Sequence, residues 1–119
     1  MIARDRLVVL LDRFAQQRIL VIGDYFLDKY LDIDRALAET SLETGLEAHQ
    51  VVQVRTSPGA AGNVVANLCA LGVQAVCLSV VGEDGEGYVL GRELRTRGAD
   101  PEHLVVARER MTPTYTKPL

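Results

Sequence analysis

The sequence has no tryptophan, only two cysteines and no long run of apolar residues. Two cysteines are too few for a disulfide-stabilised secreted scaffold, so Cys69 and Cys77 are expected to be reduced thiols in the core. No segment is long enough to span a bilayer, and the apolar run at residues 7–11 is too short for a signal peptide because Asp12 ends it. These absences predict a cytoplasmic protein that does not enter membranes.

An excess of basic residues is also missing. The 13 basic and 16 acidic residues give a net charge of −3, and the basic ones are scattered, which argues against nucleic-acid binding. His49 and His103 are isolated and lack metal-ligand spacing, so no metal site is predicted. What the chain does have is apolar residues, 48% of 119, which is enough for one core in one domain.

Residues 57–72 form a stretch rich in small side chains, S-P-G-A-A-G-N-V-V-A-N-L-C-A-L-G. We expect Pro58 and Gly59 to form a turn and a helix to run from Asn63 until Gly72 stops it. The apolar face of this helix is predicted from residues at i, i+4 and i+7: Val64, Leu68 and Leu71. The unpaired N–H groups of such a helix start suit an oxygen-rich ligand, although close packing on a sheet would require the same small residues. Asn63 either caps the helix or reaches a bound hydroxyl.

Residues 19–22 form an apolar run that predicts a parallel strand buried on both faces. The polar residues that follow it, in G-D-Y-F-L-D-K-Y, lie where open α/β sheets bind ligands. Asp24 is either part of that site or an ordinary turn residue. Asp28 lies in a mostly apolar segment, so its burial would require a partner, and a ligand hydroxyl is one candidate.

The stretch between Asp24 and residue 57 has no convincing crossover helix, although residues 35–39 could form a helical turn or two. Residues 30–33 and 51–55 have the pattern of short strands. We interpret residues 30–57 as a small β flap over the site. A loosely ordered surface insertion is the alternative.

The remaining segments alternate between helix and strand patterns. Residues 3–17 predict a helix that packs on the sheet edge, and a second helix should follow the glycine-rich turn at residues 82–87 and end at Gly98. Residues 75–81 and 104–107 predict core strands, and residues 112–119 an extended segment. Alternating elements of this kind indicate an α/β fold with a mostly parallel sheet.

Four motifs carry a family resemblance, and they cover residues 19–117 in the family's order. They are I-L-V-I-G-D-Y-F-L-D-K-Y, then G-A-A-G-N-V-V-A-N-L-C-A-L-G followed after nine residues by Gly82, then V-G-E-D-G-E-G and T-P-T-Y-T-K. The chain resembles the ribokinase-like carbohydrate kinases of the phosphofructokinase B type, within them the bacterial heptose-7-phosphate kinase branch. The resemblance implies a three-layer α/β sandwich with a β lid, and transfer of the γ-phosphoryl group of ATP, with Mg²⁺, to a sugar or sugar-phosphate hydroxyl.

The resemblance also implies roles for individual residues. Asp28, Gly59 and Asn63 match positions that hold the acceptor's hydroxyls, and the lid often makes a homodimer. Lys117 is either a ligand for a substrate phosphate or a solvated lysine. The family's catalytic aspartate and nucleotide site belong to a C-terminal half that residues 1–119 do not match. Neither Lys29 nor Lys117 follows a glycine, so a Walker A loop is excluded.

Residues 1–119 are therefore expected to be the N-terminal, acceptor-binding part of a kinase, without a catalytic residue, ATP or Mg²⁺ site of their own, and inactive alone. Two alternatives stay open. In a dinucleotide-binding domain, Glu83 or Asp84 would bind the ribose, about twenty residues after the glycine-rich turn. The other alternative is a non-catalytic domain that dimerises through the flap.

Overall fold

The computed structural model describes all 119 residues, which form three helices, six strands and two three-stranded sheets. The elements in chain order are α1 (Arg4–Phe14), β1 (Arg18–Ile22), β2 (Tyr25–Thr40), β3 (Glu47–Ala60), α2 (Ala61–Ala70), β4 (Gln74–Gly82), α3 (Gly85–Thr96), β5 (Leu104–Ala107) and β6 (Thr114–Pro118). None of the helices has the length and apolar character needed to cross a membrane.

The first sheet is parallel, with strand order β1-β4-β5, and it confirms the three strands predicted at residues 19–22, 75–81 and 104–107. The prediction that β1 is buried on both faces is wrong. Val21 packs against the core, but Leu20 and Ile22 on the other face are 51% and 70% exposed. A continuous apolar run does not reveal that β1 is an edge strand whose second face is uncovered.

Helix α1 forms where the apolar spacing predicts it, but it does not pack on the sheet edge. None of its residues is buried, and Leu7 and Leu11 are about half exposed. The amphipathic pattern therefore predicts the helix correctly, but it does not indicate which element the helix packs against.

The second sheet, the flap sheet, has the order β3-β2-β6. Strands β2 and β3 form an antiparallel hairpin, and β6 pairs in parallel with β2. The ordered hairpin excludes a loose insertion, and it extends beyond residues 30–57 at the end nearest the core. That it covers a binding site stays a prediction. The possible helical turn at residues 35–39 is wrong, because these residues belong to β2.

The predicted turn at Pro58 and Gly59 is also wrong. Both residues lie inside β3, paired with Leu27 and Phe26 of β2. The chain turns one residue later, at Ala60, whose φ of 48° and ψ of −116° are unusual for a residue with a side chain.

Helix α2 starts at Ala61, two residues earlier than predicted, and Gly72 follows its C-terminus with a φ of 85°, as expected for the residue that stops it. The predicted apolar face is correct only for Leu68, which packs against the core. Val64 and Leu71 are about half exposed, whereas Gly62 and Val65 are buried. A side chain at Gly62 would collide with Pro58, so this glycine allows α2 to approach the flap sheet closely.

The core lies between the parallel sheet, helices α2 and α3, and the base of the flap sheet. Its nine residues are Tyr25, Leu27, Val65, Ala75, Cys77, Val81, Leu90, Leu94 and Ala99. Tyr25 donates a hydrogen bond to the Val21 carbonyl at 2.9 Å, which joins the flap sheet to the parallel sheet. Both cysteines are free thiols, as predicted, with Cys77 buried and Cys69 partly buried.

Candidate functional site

The candidate site lies on the outer face of the flap sheet, the face that points away from the core. Side chains alternate along β2, so the buried Tyr25 and Leu27 occupy the core face. Phe26, Asp28 and Tyr30 therefore lie on the outer face.

Because β2 is the central strand, its outer-face residues have partners on one or both sides. Strand pairing arranges the outer-face residues in three rows, which follow one another along β2 with increasing distance from the core. The rows are Gly59 and Phe26; Ser57, Asp28 and Tyr115; and Arg55, Tyr30 and Lys117. Three of the predicted site residues, Asp28, Gly59 and Lys117, thus share one face. Pairing between residues distant in sequence brings them together.

Asp28 has a partner within the chain, and it is Lys117. The Nζ of Lys117 donates to Oδ1 of Asp28 at 2.6 Å, and this hydrogen bond raises the pKa of the lysine. The carboxylate side chain is 13% exposed and the lysine 44%, so the cation lies on the solvent side. Oδ2 of Asp28 is left to accept from a ligand.

Aromatic rings surround this ion pair. The Lys117 Nζ lies 5.0 Å from the ring centroid of Tyr30 and 5.9 Å from that of Tyr115. The Tyr115 ring packs against Phe26 with centroids 4.8 Å apart. Aromatic faces beside hydrogen-bonding groups suit a ligand with both C–H and O–H surfaces. The sequence analysis did not identify these rings as site residues. The available signal was that Phe26, Asp28 and Tyr30 are two residues apart in F-L-D-K-Y, which places them on the same face of a strand.

Arg55 is a second cation in this area. Its Nε and Nη2 donate to the two carboxylate oxygens of Asp32, both at 2.8 Å, and the pairing lowers the pKa of Asp32. The guanidinium carbon lies 5.2 Å from the Tyr30 centroid, so Arg55 and Lys117 are both close to this ring. Sequence reasoning did not single out Arg55.

Gly59 contributes through packing. A Cβ at this position would collide with the ring of Phe26, so glycine is required for that ring to lie across β3. The space that a side chain would fill is occupied by Phe26, and the role of Gly59 toward a ligand stays a prediction.

Asp24 and Asn63 lie where the flap sheet joins the core. The Ala61 N–H donates to the Asp24 carbonyl at 3.0 Å, which places Asp24 beside the first residue of α2. Asn63 is exposed in the first turn of that helix. The N-terminus of α2 has no side-chain cap. The helix start therefore offers N–H groups and an amide to a ligand.

Strand β6, which carries Tyr115 and Lys117, is anchored to the core through Asp84. The Asp84 carboxylate accepts from the Thr112 N–H, the Thr112 hydroxyl and the Gly87 N–H, each at 2.7 Å. Burial raises the pKa of Asp84, but these hydrogen bonds lower it more, and the net shift is downward. The Thr112 hydroxyl also accepts from the Gly82 N–H at 2.9 Å. The motif G-E-D-G-E-G thus anchors the strand that carries part of the site.

Helix α3 contacts the core-facing side of the flap sheet. Glu86 accepts from Lys29 at 3.3 Å, and Glu93 accepts from the Thr56 hydroxyl at 3.0 Å. Glu93 also forms an ion pair with Arg97, one helical turn further along α3, at 2.7 Å. These contacts link the α/β core to the base of the flap.

This architecture, a parallel α/β unit with a β flap, defines the class of ribokinase-like carbohydrate kinases. A carbohydrate kinase from Agrobacterium tumefaciens superposes with a TM-score of 0.66 at 24% identity, over 87% of this chain and 31% of that one. A sugar kinase from Pyrococcus horikoshii superposes with a TM-score of 0.59 at 27% identity, over 87% and 31% of the two chains.

Sequence comparison identifies the family. Residues 16–117 match the profile of the pfkB family carbohydrate kinases, and the chain belongs to this family. It is 41% identical over 108 residues to the bifunctional protein HldE of Citrifermentans bemidjiense, covering 91% of this chain and 22% of that protein. With HldE of Mesorhizobium japonicum the identity is 34%, over 88% of this chain and 21% of the relative. The chain thus spans about a fifth of the length of these curated relatives.

The structure does not support the dinucleotide-binding alternative. In that fold the strand before the glycine-rich helix is part of a parallel βαβ unit. Here the preceding strand, β3, is antiparallel to β2 and belongs to the flap sheet.

Proposed function

We propose that residues 1–119 form the acceptor-binding part of an ATP-dependent kinase that phosphorylates a hydroxyl of a sugar or sugar phosphate. The observation that carries the proposal is Asp28, a carboxylate on the outer face of the flap sheet, oriented by Lys117 and bordered by aromatic rings. Membership of the pfkB family supplies the reaction class.

The proposed roles follow from the chemistry of the side chains. The free oxygen of Asp28 accepts from a sugar hydroxyl, and the Asn63 amide binds a second hydroxyl at the start of α2. Asp24 lies beside that helix start and is a further acceptor for hydroxyls. Gly59 keeps Phe26 in place, and Lys117 both orients Asp28 and offers its remaining N–H groups to the substrate.

For the acceptor we propose heptose 7-phosphate, and for the donor ATP with Mg²⁺. The resemblance to the heptose-phosphate kinase branch and the similarity to proteins named HldE support the acceptor. The solved complex of the Pyrococcus horikoshii sugar kinase with ATP, 26% identical with a TM-score of 0.56, supports the donor.

Phosphoryl transfer depends mainly on positioning and on stabilisation of charge. We assign the positioning of the acceptor to this chain and assign no nucleotide ligand or catalytic base to residues 1–119. The chain alone is therefore expected not to turn over ATP. A coupled ATP assay with sugar phosphates tests this, and turnover by the purified 119-residue chain would refute it.

Binding by calorimetry tests the acceptor site directly. Asp28→Asn removes a charged hydrogen-bond acceptor, so it should weaken binding of heptose 7-phosphate by about 10- to 100-fold. Asp34→Asn is the control, since Asp34 is on the same strand and bonds only the Ala36 N–H. Equal affinity of the Asp28 variant and the unmodified chain would contradict the proposed site.

A second proposal concerns assembly. The flap exposes several large apolar residues that would be costly to leave in water over a wide area: Leu37, Leu42, Leu46, Val52 and Val54. We propose that two copies pair through the flap. Deletion of residues 32–50 removes the three leucines and should halve the mass measured by sedimentation. An unchanged mass would exclude pairing through this part of the flap.

A further inference from the structure

Helix α1 lies outside the residues that match the family profile, which begin at residue 16, and none of its residues is buried. Its apolar residues at i, i+3, i+4 and i+7 share one side of the helix: Leu7, Leu10, Leu11 and Phe14. A helix of 11 residues is only marginally stable in water, and burial of an apolar side normally supplies the rest of its stability. The fold of one chain does not provide that burial for α1.

The charges of α1 indicate which kind of surface would cover its apolar side. With 3.6 residues per turn, Arg6 and Arg13 lie along the border of the apolar side, whereas Asp5 and Asp12 lie on the opposite side of the helix. All four side chains are exposed. The matching surface is therefore apolar with acidic residues around it.

The tip of the flap, which we define as residues 37–47, has this composition. Leu42 and Leu46 are 104% and 70% exposed, and Leu37 is 51% exposed. Three exposed acids alternate with these leucines, and the segment contains no basic residue; the acids are Glu39, Glu43 and Glu47. The flap tip and α1 are thus complementary in both charge and apolar character.

The flap tip is also held in a fixed conformation by its own backbone. The Ser41 N–H donates to the Leu46 carbonyl at 2.8 Å, and the Gly45 N–H donates to the Ser41 carbonyl at 2.9 Å. Leu42 lies between these bonded residues and projects into solvent. An ordered turn that presents leucines to water is a surface suited to an apolar partner.

Helix α1 cannot reach the flap tip of its own chain. Residues 15–17 connect α1 to the start of β1 and span at most about 10 Å. The flap leaves the opposite end of β1, and its tip lies about 40 Å further along β2. A contact between the two surfaces therefore requires a second copy of the chain.

We propose that α1 of one copy binds the flap tip of a second copy, and that the second copy returns the same contact. This inference rests on the proposed pairing through the flap and names the surface that the flap contacts. Since the two surfaces lie at opposite ends of the chain, two copies arranged head to tail fill both of them. One helix contact is small, and the reciprocal arrangement doubles it toward the roughly 1,200–2,000 Å² that stable interfaces bury.

Sedimentation equilibrium of the 119-residue chain tests the charged part of the contact. The double variant Arg6→Glu, Arg13→Glu places like charges opposite the flap tip, so it should weaken association by about 10-fold or more. Addition of Glu39→Arg and Glu43→Arg to this variant should restore most of the lost affinity. A charge-swapped chain that stays as weak as the double variant would overturn the proposal.

Matched controls separate this contact from a general effect of charge or of apolar area. Asp5→Asn with Asp12→Asn, on the opposite side of α1, should change association by less than about 2-fold. Leu42→Ser should weaken association by about 10-fold, because the leucine is buried only in the pair. Met111→Ser, at a residue that is 86% exposed outside both surfaces, should leave association unchanged. Equal effects of the last two variants would refute the flap tip as the contact.

The outcomes distinguish this inference from the proposed pairing on which it rests. If deletion of residues 32–50 halves the mass but the Arg6 and Arg13 variant does not lower it, the flap pairs through another contact and only the inference fails. If the unmodified chain is a monomer, both fail. If the Arg6 and Arg13 variant keeps its mass but loses binding to phosphatidylserine vesicles, α1 is a lipid-binding helix and the inference is overturned.

Discussion

Asp84 connects the α/β core to the strand that carries Lys117, and its removal is the most informative single perturbation. In Asp84→Ala, three hydrogen bonds are lost together: one to the Gly87 N–H at the start of α3 and two to Thr112. Thr112 is only 4% exposed, so water cannot easily replace the lost acceptor.

The expected cost follows from these contacts. Loss of the cap at the start of α3 costs about 1 kcal/mol. Leaving the buried Thr112 donors unpaired costs about 1–3 kcal/mol more. We therefore expect Asp84→Ala to lower the free energy of unfolding by about 2–4 kcal/mol, a large part of the 5–15 kcal/mol that is usual for a domain.

Urea unfolding followed by far-UV circular dichroism measures this effect. Glu83→Ala is the matched control, because Glu83 is the neighbouring residue and its 2.7 Å contact with Arg108 is exposed. The control should change the free energy of unfolding by less than about 0.5 kcal/mol. If both variants unfold at the same urea concentration, Asp84 does not anchor β6 in the way described.

The effect of Asp84 should also depend on pH. Its pKa in the folded chain is below the ordinary value, so its contribution is fully present above the unfolded pKa of about 3.9. The contribution is lost as the pH falls through the lower, folded pKa. The difference in unfolding free energy between the unmodified chain and Asp84→Ala should therefore be constant from pH 7 to about pH 5 and shrink below about pH 4. A difference that grows on acidification would refute this assignment.

Three further predictions concern the core, the turn and the thiols. Leu94→Ala, at a fully buried position, should lower the free energy of unfolding by about 2–5 kcal/mol, and Leu37→Ala on the exposed flap by less than about 1 kcal/mol, both measured in urea. Ala60→Gly should raise the melting temperature, because glycine relieves a backbone conformation that costs about 1–3 kcal/mol; a lower melting temperature would contradict this. Burial raises the pKa of the Cys77 thiol, so a disulfide reagent at pH 8 should modify the partly exposed Cys69 first, and simultaneous modification would show that Cys77 is accessible.

Much of the fold was predictable because its signals are local. Strand β4 is a mostly apolar run, and helix α3 has apolar residues at helical spacing. Gly98, with a φ of 86°, follows the C-terminus of α3 and stops it. The flap was predicted only as two short strands, because the length of a hairpin depends on pairing between residues far apart, such as Tyr25 with Ala60. The buried face of α2 was misassigned because the helix is apolar on several sides, and its approach to Pro58 decides which side is buried.

The sequence by itself determined the family and the order of the elements, and it indicated Asp28 and Lys117 separately as candidates. Spacing of apolar residues, glycine positions and short motifs act over a few residues, so they can be recognised along the chain. Only the tertiary structure decided that Asp28 pairs with Lys117, 89 positions away, and that Arg55 and Tyr30 lie in the next row. Parallel pairing of β6 with β2 creates these contacts, and the register between two strands that are so distant has no signature in either strand alone.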